Sequence, residues 1–201
     1  VSTYAKAETL VGAVVAPLDW ARSVALVVAF SLLTALAAQV VVPLPWTPVP
    51  LTGQTFAVLL TGALLGSRLG ALAMIAYLVE GALGLPFFRA GAGGAQHLIG
   101  PTATTAGYLF AFPVAAFVTG YLAERGWDRR FLTAGAAMAL GSLVILAGGW
   151  AWLTILFRTA GEAFRLGVAP FLIGDVIKIA LAAAALPAGW TILRRTSPRA
   201  D

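Results

Sequence analysis

The chain has 201 residues, of which 60% are hydrophobic and 10% charged, with a mean hydropathy of +0.92. That balance excludes an ordinary water-soluble domain. At roughly 20 residues per apolar crossing it leaves room for about six helical spans and no separate soluble domain. No cysteine and a single histidine exclude disulfides, thiolate metal sites and a multi-histidine centre within one chain, so neither a metal nor a cofactor is expected.

A polar arm carrying Lys6, Glu8, Asp19 and Arg22 precedes the first apolar run, residues 24–42. Acidic residues mixed into the arm and the length of the run argue against a cleavable signal, so the run is read as a retained span. The segment Pro43 to Pro50 holds four prolines, which forbid a continuous helix and predict a stiff extended loop. Residues 52–65 and 69–85 form spans two and three, a tight hairpin around Gly66-Ser67-Arg68; span two is short unless Leu51 to Gln54 lengthen it. Gly62, Gly66 and Gly70 read as turn and packing glycines. Pro86 to Thr102, glycine-rich and carrying Arg89 and His97, reads as an irregular lid. Spans four, five and six cover 104–122, 131–157 and 168–192, with an amphipathic connector containing Arg158, Glu162 and Arg165 before the last.

Basic residues prefer the cytoplasmic flanks of short loops. With both termini cytoplasmic, that side collects Lys6, Arg22, Arg68, Arg125, Arg129, Arg130, Arg194, Arg195 and Arg199. The outer side keeps only Arg89, Arg158 and Arg165. The fold class expected is therefore an all-α, multi-pass cell-membrane protein: six transmembrane helices in one domain. The same asymmetry accounts for most of the +5 net charge and the isoelectric point near 10.2, so no nucleic-acid partner is inferred. The tryptophans Trp20, Trp46, Trp127 and Trp190 fit interfacial belts, with Trp150 and Trp152 near the outer end of span five and Trp46 also a candidate for the pocket wall.

Only the last span carries two ionisable residues three apart, in Gly174-Asp175-Val176-Ile177-Lys178. At i and i+3 they share one helix face and can point together into one cavity. Asp175 stands seven residues from the expected outer start of span six, roughly 10 Å along the axis. A buried charge there costs at least a few kcal/mol, so mutual pairing or a polar ligand must offset it. A structural salt bridge is the plainer reading, a binding site the sharper one. Glu80, near the outer end of span three, is read as snorkelling to the interface, and His97 as a solvated loop histidine.

The stretches Pro50-Leu51-Thr52-Gly53-Gln54-Thr55, Tyr77 to Phe88, Gly100-Pro101-Thr102 and Gly174 to Lys178 resemble the BioY family, in collinear order over about residues 25–185. Members of that family are biotin-binding S components of energy-coupling-factor (ECF) transporters. The resemblance implies a six-helix S component with a pocket near the outer side, capped by the loops after spans one and three. It implies Asp175 and Lys178 as leading biotin ligands, with Gln54 and Tyr77 as wall or hydrogen-bonding residues. Arg89 in the lid is a candidate for the biotin carboxylate. Ala21, Ala25 and Ala29 form a small-residue stripe on span one, which the resemblance implies docks on the coupling membrane subunit. The chain departs from the family where Ala103-Thr104-Thr105-Ala106-Gly107 follows Gly-Pro-Thr in place of a glycine pair, Gly107 being a partial substitute. No phosphate-binding glycine-lysine loop occurs, so ATP-driven uptake would require separate ABC-type ATPases.

Two other classes fit less of the sequence. An ion-coupled secondary transporter could titrate Asp175, but residues 1–100 and 101–201 show no internal repeat. An intramembrane serine hydrolase could use Ser142 and His97, but the sequence offers no evident orienting acid. The protein is therefore read as a non-enzyme.

Overall fold

The computed structural model describes residues 9–15, 18–100, 103–157 and 159–196. Lys6, Glu8, Pro101, Thr102, Arg158 and Arg199 lie outside the described residues. Among the described residues eight α-helices run in chain order: α1 (Leu10–Val15), α2 (Trp20–Ala37), α3 (Gln54–Leu65), α4 (Ser67–Ala82), α5 (Ala106–Glu124), α6 (Phe131–Phe157), α7 (Ala160–Gly167) and α8 (Leu172–Thr196). Between α2 and α3 two short strands, β1 (Val41–Val42) and β2 (Leu51–Thr52), pair antiparallel with Val41 opposite Thr52 and Val42 opposite Leu51. The proline-rich segment is the loop of this hairpin.

The bundle is built around α5, which packs on α3, α4 and α6 and has 61% of its apolar window buried, against 17% for α2 at the periphery. Glycines make the close approaches possible. A methyl at Gly62 of α3 would overlap Thr119 and the Ala116 carbonyl of α5. At Gly107 of α5 it would strike Trp152 and the backbone of Gly148 on α6. Gly107 is thus a helix-packing residue, and the turn before α5 does not gain from it the freedom of the missing glycine pair.

The α3–α4 hairpin turns at Gly66, whose φ of 87° is accessible to glycine at little cost. Glu124, at the end of α5, clamps the turn by accepting from the Ser67 amide (2.6 Å) and hydroxyl (2.9 Å). The packing roles expected of Gly62, Gly66 and Gly70 match these contacts, since a side chain on Gly70 would press against Gly62.

Several helix limits differ from the sequence expectation. The first long helix starts at Trp20, capped by the Asp19 carboxylate on the Arg22 amide (2.8 Å), and ends at Ala37, because Val41–Val42 joins the hairpin. Leu51 and Thr52 are strand, so they do not lengthen α3. Helix α4 runs from Ser67 to Ala82 and α5 from Ala106 to Glu124. The 131–157 expectation matches α6 residue for residue. The last helix begins at Leu172 after a 3-10 turn, Ala169–Phe171, and continues to Thr196.

Among the described residues four helical stretches are long and apolar enough to cross a membrane: α2, α5, α6 and Ala160–Arg195, which contains α8. The helices at the expected second and third spans are shorter, α3 with 12 residues and α4 with 16. The amphipathic connector is present as α7, held to the bundle by the Tyr108 hydroxyl on the Gly167 carbonyl (2.5 Å) and the Trp150 indole on the Ala160 carbonyl (3.0 Å).

Candidate functional site

The start of α8 places Asp175 in its first turn. The carboxylate is only the fourth residue of that helix, about 4.5 Å along its axis by the 1.5 Å rise, not the 10 Å expected from a start at residue 168. The side chain is nonetheless buried, 8% exposed, because α3, α5, α6 and the hairpin close around it.

A cavity of about 510 Å³, counting its open mouth, lies between these elements. Tyr108, Leu109, Phe112, Ile145, Leu146 and Phe171 form its apolar wall, Val49 to Thr52 of the hairpin its cover, and Gln54, Thr55, Asp175 and Lys178 its polar floor. Arg89, half-buried in a 3-10 turn of the lid, completes the lining. Pro113 lacks the amide that would bond back to Leu109, so the carbonyl of this wall residue is freed from the α5 ladder.

Asp175 and Lys178 converge as their spacing requires, but they do not form a close pair. Nζ stands 4.0 Å from Oδ1. Each has its own neutral partners instead. Ser142 of α6 donates to Asp175 Oδ2 (2.5 Å), while Lys178 Nζ donates to the Thr52 carbonyl (2.9 Å) and the Thr55 hydroxyl (2.7 Å). Asp175 Oδ1 therefore accepts no protein hydrogen bond among the described residues, and one of the three ammonium hydrogens is left over. Mutual pairing or a polar ligand is expected from the sequence to offset burial of these charges; fixed hydroxyls and a hairpin carbonyl share that role.

Gln54 is buried on the floor with both ends of its amide engaged. Thr52 donates to its Oε1 (2.9 Å), and its Nε2 donates to the Tyr77 hydroxyl (2.5 Å), which in turn donates to the Phe87 carbonyl (3.1 Å). Tyr77 is fully buried one layer behind Gln54 and does not line the cavity. It couples the floor to the lid.

The lid itself is tied down: Gln39, just past the end of α2, donates to the Pro86 and Phe88 carbonyls (both 3.4 Å), and the Gly94 amide donates to the Gly81 carbonyl (2.7 Å). Ala90 holds a left-handed backbone, φ 54°, next to Arg89. The Arg89 side chain has no hydrogen bond or ion pair to any described residue, so its guanidinium remains available to an anion at the cavity rim.

Other candidates fall elsewhere. His97 packs edge-on against Phe88 (6.2 Å between centroids), away from the cavity lining. Trp46 is 63% exposed and is not a wall residue. Glu80 does not reach water with both oxygens; its Oε2 is buried and unpartnered among the described residues. Ala21, Ala25 and Ala29 are all exposed on α2.

Ser142, which sequence reasoning weighed beside His97, instead donates to Asp175 from behind the cavity floor. The signal available was its isolation as a polar residue in the apolar middle of α6. Thr52 and Thr55 sat in the quoted Pro50–Thr55 stretch without an assigned role.

A bundle of long apolar helices enclosing a small, mostly apolar cavity with a few converging charges defines a membrane protein built to hold a small solute. Residues 6–195 match the BioY family, and the chain belongs to that family. It is 44% identical over 162 residues to "Probable biotin transporter BioY" of Pyrococcus horikoshii, covering 81% of this chain and 92% of the relative. It is 40% identical over 142 residues to "Biotin transporter BioY" of Thermotoga maritima, covering 71% and 81%. Its fold matches a crystal structure described as the S-component for biotin from an ECF-type ABC transporter, with a TM-score of 0.75, 22% identity and coverage of 88% of this chain and 93% of that one. These are transport proteins, and the chain is not an enzyme.

Proposed function

We propose that this protein is the biotin-capturing S component of an ECF transporter in the cell membrane. Six helices, α2, α3, α4, α5, α6 and α8, cross the bilayer in this reading, with both termini cytoplasmic and the cavity opening outward. The excess of basic residues at the end remote from the cavity supports that orientation.

The observation that carries the substrate assignment is the pair of unsatisfied positions on the cavity floor. Biotin's ureido ring offers N–H donors and a carbonyl acceptor. Asp175 Oδ1 is the free acceptor and the Lys178 ammonium has a free donor, so the ring finds both complements with charge-assisted strength. The aromatic wall suits the sulfur-containing bicycle, and Arg89 at the rim suits the valerate carboxylate. Gln54, held through Tyr77, shapes the floor without giving up a hydrogen bond.

Uptake against a gradient then requires a coupling membrane subunit and ABC-type ATPases. Ala21, Ala25 and Ala29 are the proposed docking stripe, since small exposed side chains let a partner helix approach closely. The test is calorimetric titration of biotin into ligand-stripped protein in detergent, beside Asp175→Asn and Lys178→Met variants of unchanged melting temperature. One-site binding lost in both variants supports capture at this site; a folded wild type that binds no biotin overturns it.

A further inference from the structure

The last turn of α8 and the α5–α6 connection enclose a second, open pocket of about 890 Å³ lined by Arg125, Arg129, Arg130 and Arg194, with Thr133 and Trp127. Among the described residues no acidic side chain lines it. Two carboxylates adjoin it in sequence: Asp128 accepts from the Trp190 indole (2.5 Å) and Glu124 from Ser67. Even with both ionised, four guanidiniums outnumber two carboxylates.

The cations are also oriented. Arg125 lies 3.3 Å over the Tyr121 ring and donates to the Tyr121 carbonyl (3.0 Å), and Arg129 lies 4.7 Å over the Trp190 ring. Arg130 and Arg194 are exposed, and their guanidinium groups have no hydrogen bond or ion pair to a described residue. The 27-residue helix α6 begins at this pocket, and its N-terminal amides and dipole add to the attraction for an anion.

Position selects the anion. From Asp175 to Arg194 is 19 residues of continuous helix, about 28 Å along the axis and close to the thickness of a bilayer's hydrocarbon core. Immediately beyond Arg130, Phe131 and Leu132 are 55% and 81% exposed. A bound phosphate would sit at the membrane–water boundary with an apolar surface leading away from it along α6. We propose that this pocket binds the phosphate of an anionic phospholipid headgroup in the leaflet opposite the biotin cavity. The placement rests on the membrane orientation proposed above.

The test is native mass spectrometry of the full chain in detergent, titrated with dioleoylphosphatidylglycerol or dioleoylphosphatidylcholine. Wild type, Arg130→Gln/Arg194→Gln and a control, Arg68→Gln, are compared after melting curves confirm folding. The anionic lipid is expected to bind about tenfold tighter than the zwitterionic one, and the double variant to lose about thirtyfold, from the usual contribution of each basic residue near an anionic surface. The control is expected to match wild type. Equal binding of the two lipids, or retention in the double variant, overturns the proposal. So does inorganic phosphate that stabilises the protein as well as the lipid does, since the site would then take free anions. Indifference to lipid charge with loss of ATPase-module assembly in the double variant would assign the cluster to a protein partner. Calorimetry with biotin is expected to be unchanged in every variant, so failure here leaves the capture reading intact.

Discussion

Ser142→Ala tests whether the cavity floor is organised from behind. The substitution removes one oxygen, in a residue only 4% exposed, and with it the donor to Asp175 Oδ2. No other described side chain donates to that carboxylate, and Lys178 at 4.0 Å is beyond hydrogen-bond reach. A hydrogen bond to a charged group contributes about 1.5–3 kcal/mol, and an acceptor left buried and unpaired loses its desolvation compensation as well. If Ser142 holds Asp175 so that Oδ1 faces the ligand, biotin affinity should fall by about ten- to a hundredfold, the range that 1.5–3 kcal/mol spans. The assay is calorimetry on Ser142→Ala, Asp175→Asn and the double variant. Coupling is the diagnostic: once Asp175 is neutral, removing Ser142 should have little further effect. Wild-type affinity in Ser142→Ala, or additive losses in the double variant, refutes the positioning role.

Arg89→Gln should weaken biotin by about tenfold, the lower range for a charge-assisted contact at a half-buried site, yet leave biotin amide binding unchanged; equal losses for the two ligands would remove Arg89 from carboxylate recognition. Gly62→Ala forces a methyl into Thr119 and the Ala116 carbonyl and should lower stability by about 1–3 kcal/mol, read as a fall in melting temperature in detergent. Burial raises the pKa of Asp128, with the Trp190 hydrogen bond and Arg129 pulling the other way. A raised folded value means that the folded protein holds this proton more tightly than the unfolded chain. The stabilisation from Asp128 is thus complete below the ordinary 3.8 and is lost as pH rises through the folded value. Asp128→Asn keeps an acceptor for Trp190 and removes the ionisation. The stability of wild type relative to Asp128→Asn should therefore decline with rising pH across that window, and a rise would contradict the assigned shift.

What was readable in the sequence was whatever a local pattern carries. Asp175 and Lys178 share a face because three residues make nearly one helical turn. Four prolines forced the loop that became the hairpin cover, and Phe131 to Phe157 stood between a turn and a polar connector. The limits of α2 and α8 were not readable, since hydropathy reports that a segment is apolar without saying whether it is helix or strand. Val41 and Val42 suit both, and pairing with Leu51–Thr52 decided between them. Likewise, family resemblance singled out Gln54 and Tyr77 together but not their depth; only packing puts Tyr77 behind the wall. Ser142 meets Asp175 across 33 residues, a contact that no spacing rule reaches.

The distance between Asp175 and Lys178 bears on how a cavity can hold two charges while waiting for a neutral ring. A close ion pair would satisfy both groups and would have to be broken to admit a ligand, and the attraction lost would offset the hydrogen bonds that the ligand brings. Here each charge is stabilised from outside the pair, by Ser142 on one side and by the hairpin carbonyl of Thr52 with Thr55 on the other. The facing positions stay open. A ligand with complementary donors and acceptors then adds hydrogen bonds without removing any, and the groups it meets are already oriented, so little ordering remains to be done on binding. Because Lys178 is anchored to the hairpin and Gln54 to Thr52 and, through Tyr77, to the lid, the same bonds that ready the floor also tie its two covers to it. In the proposed reading, an opening that releases the ligand would therefore disturb Lys178 and Gln54.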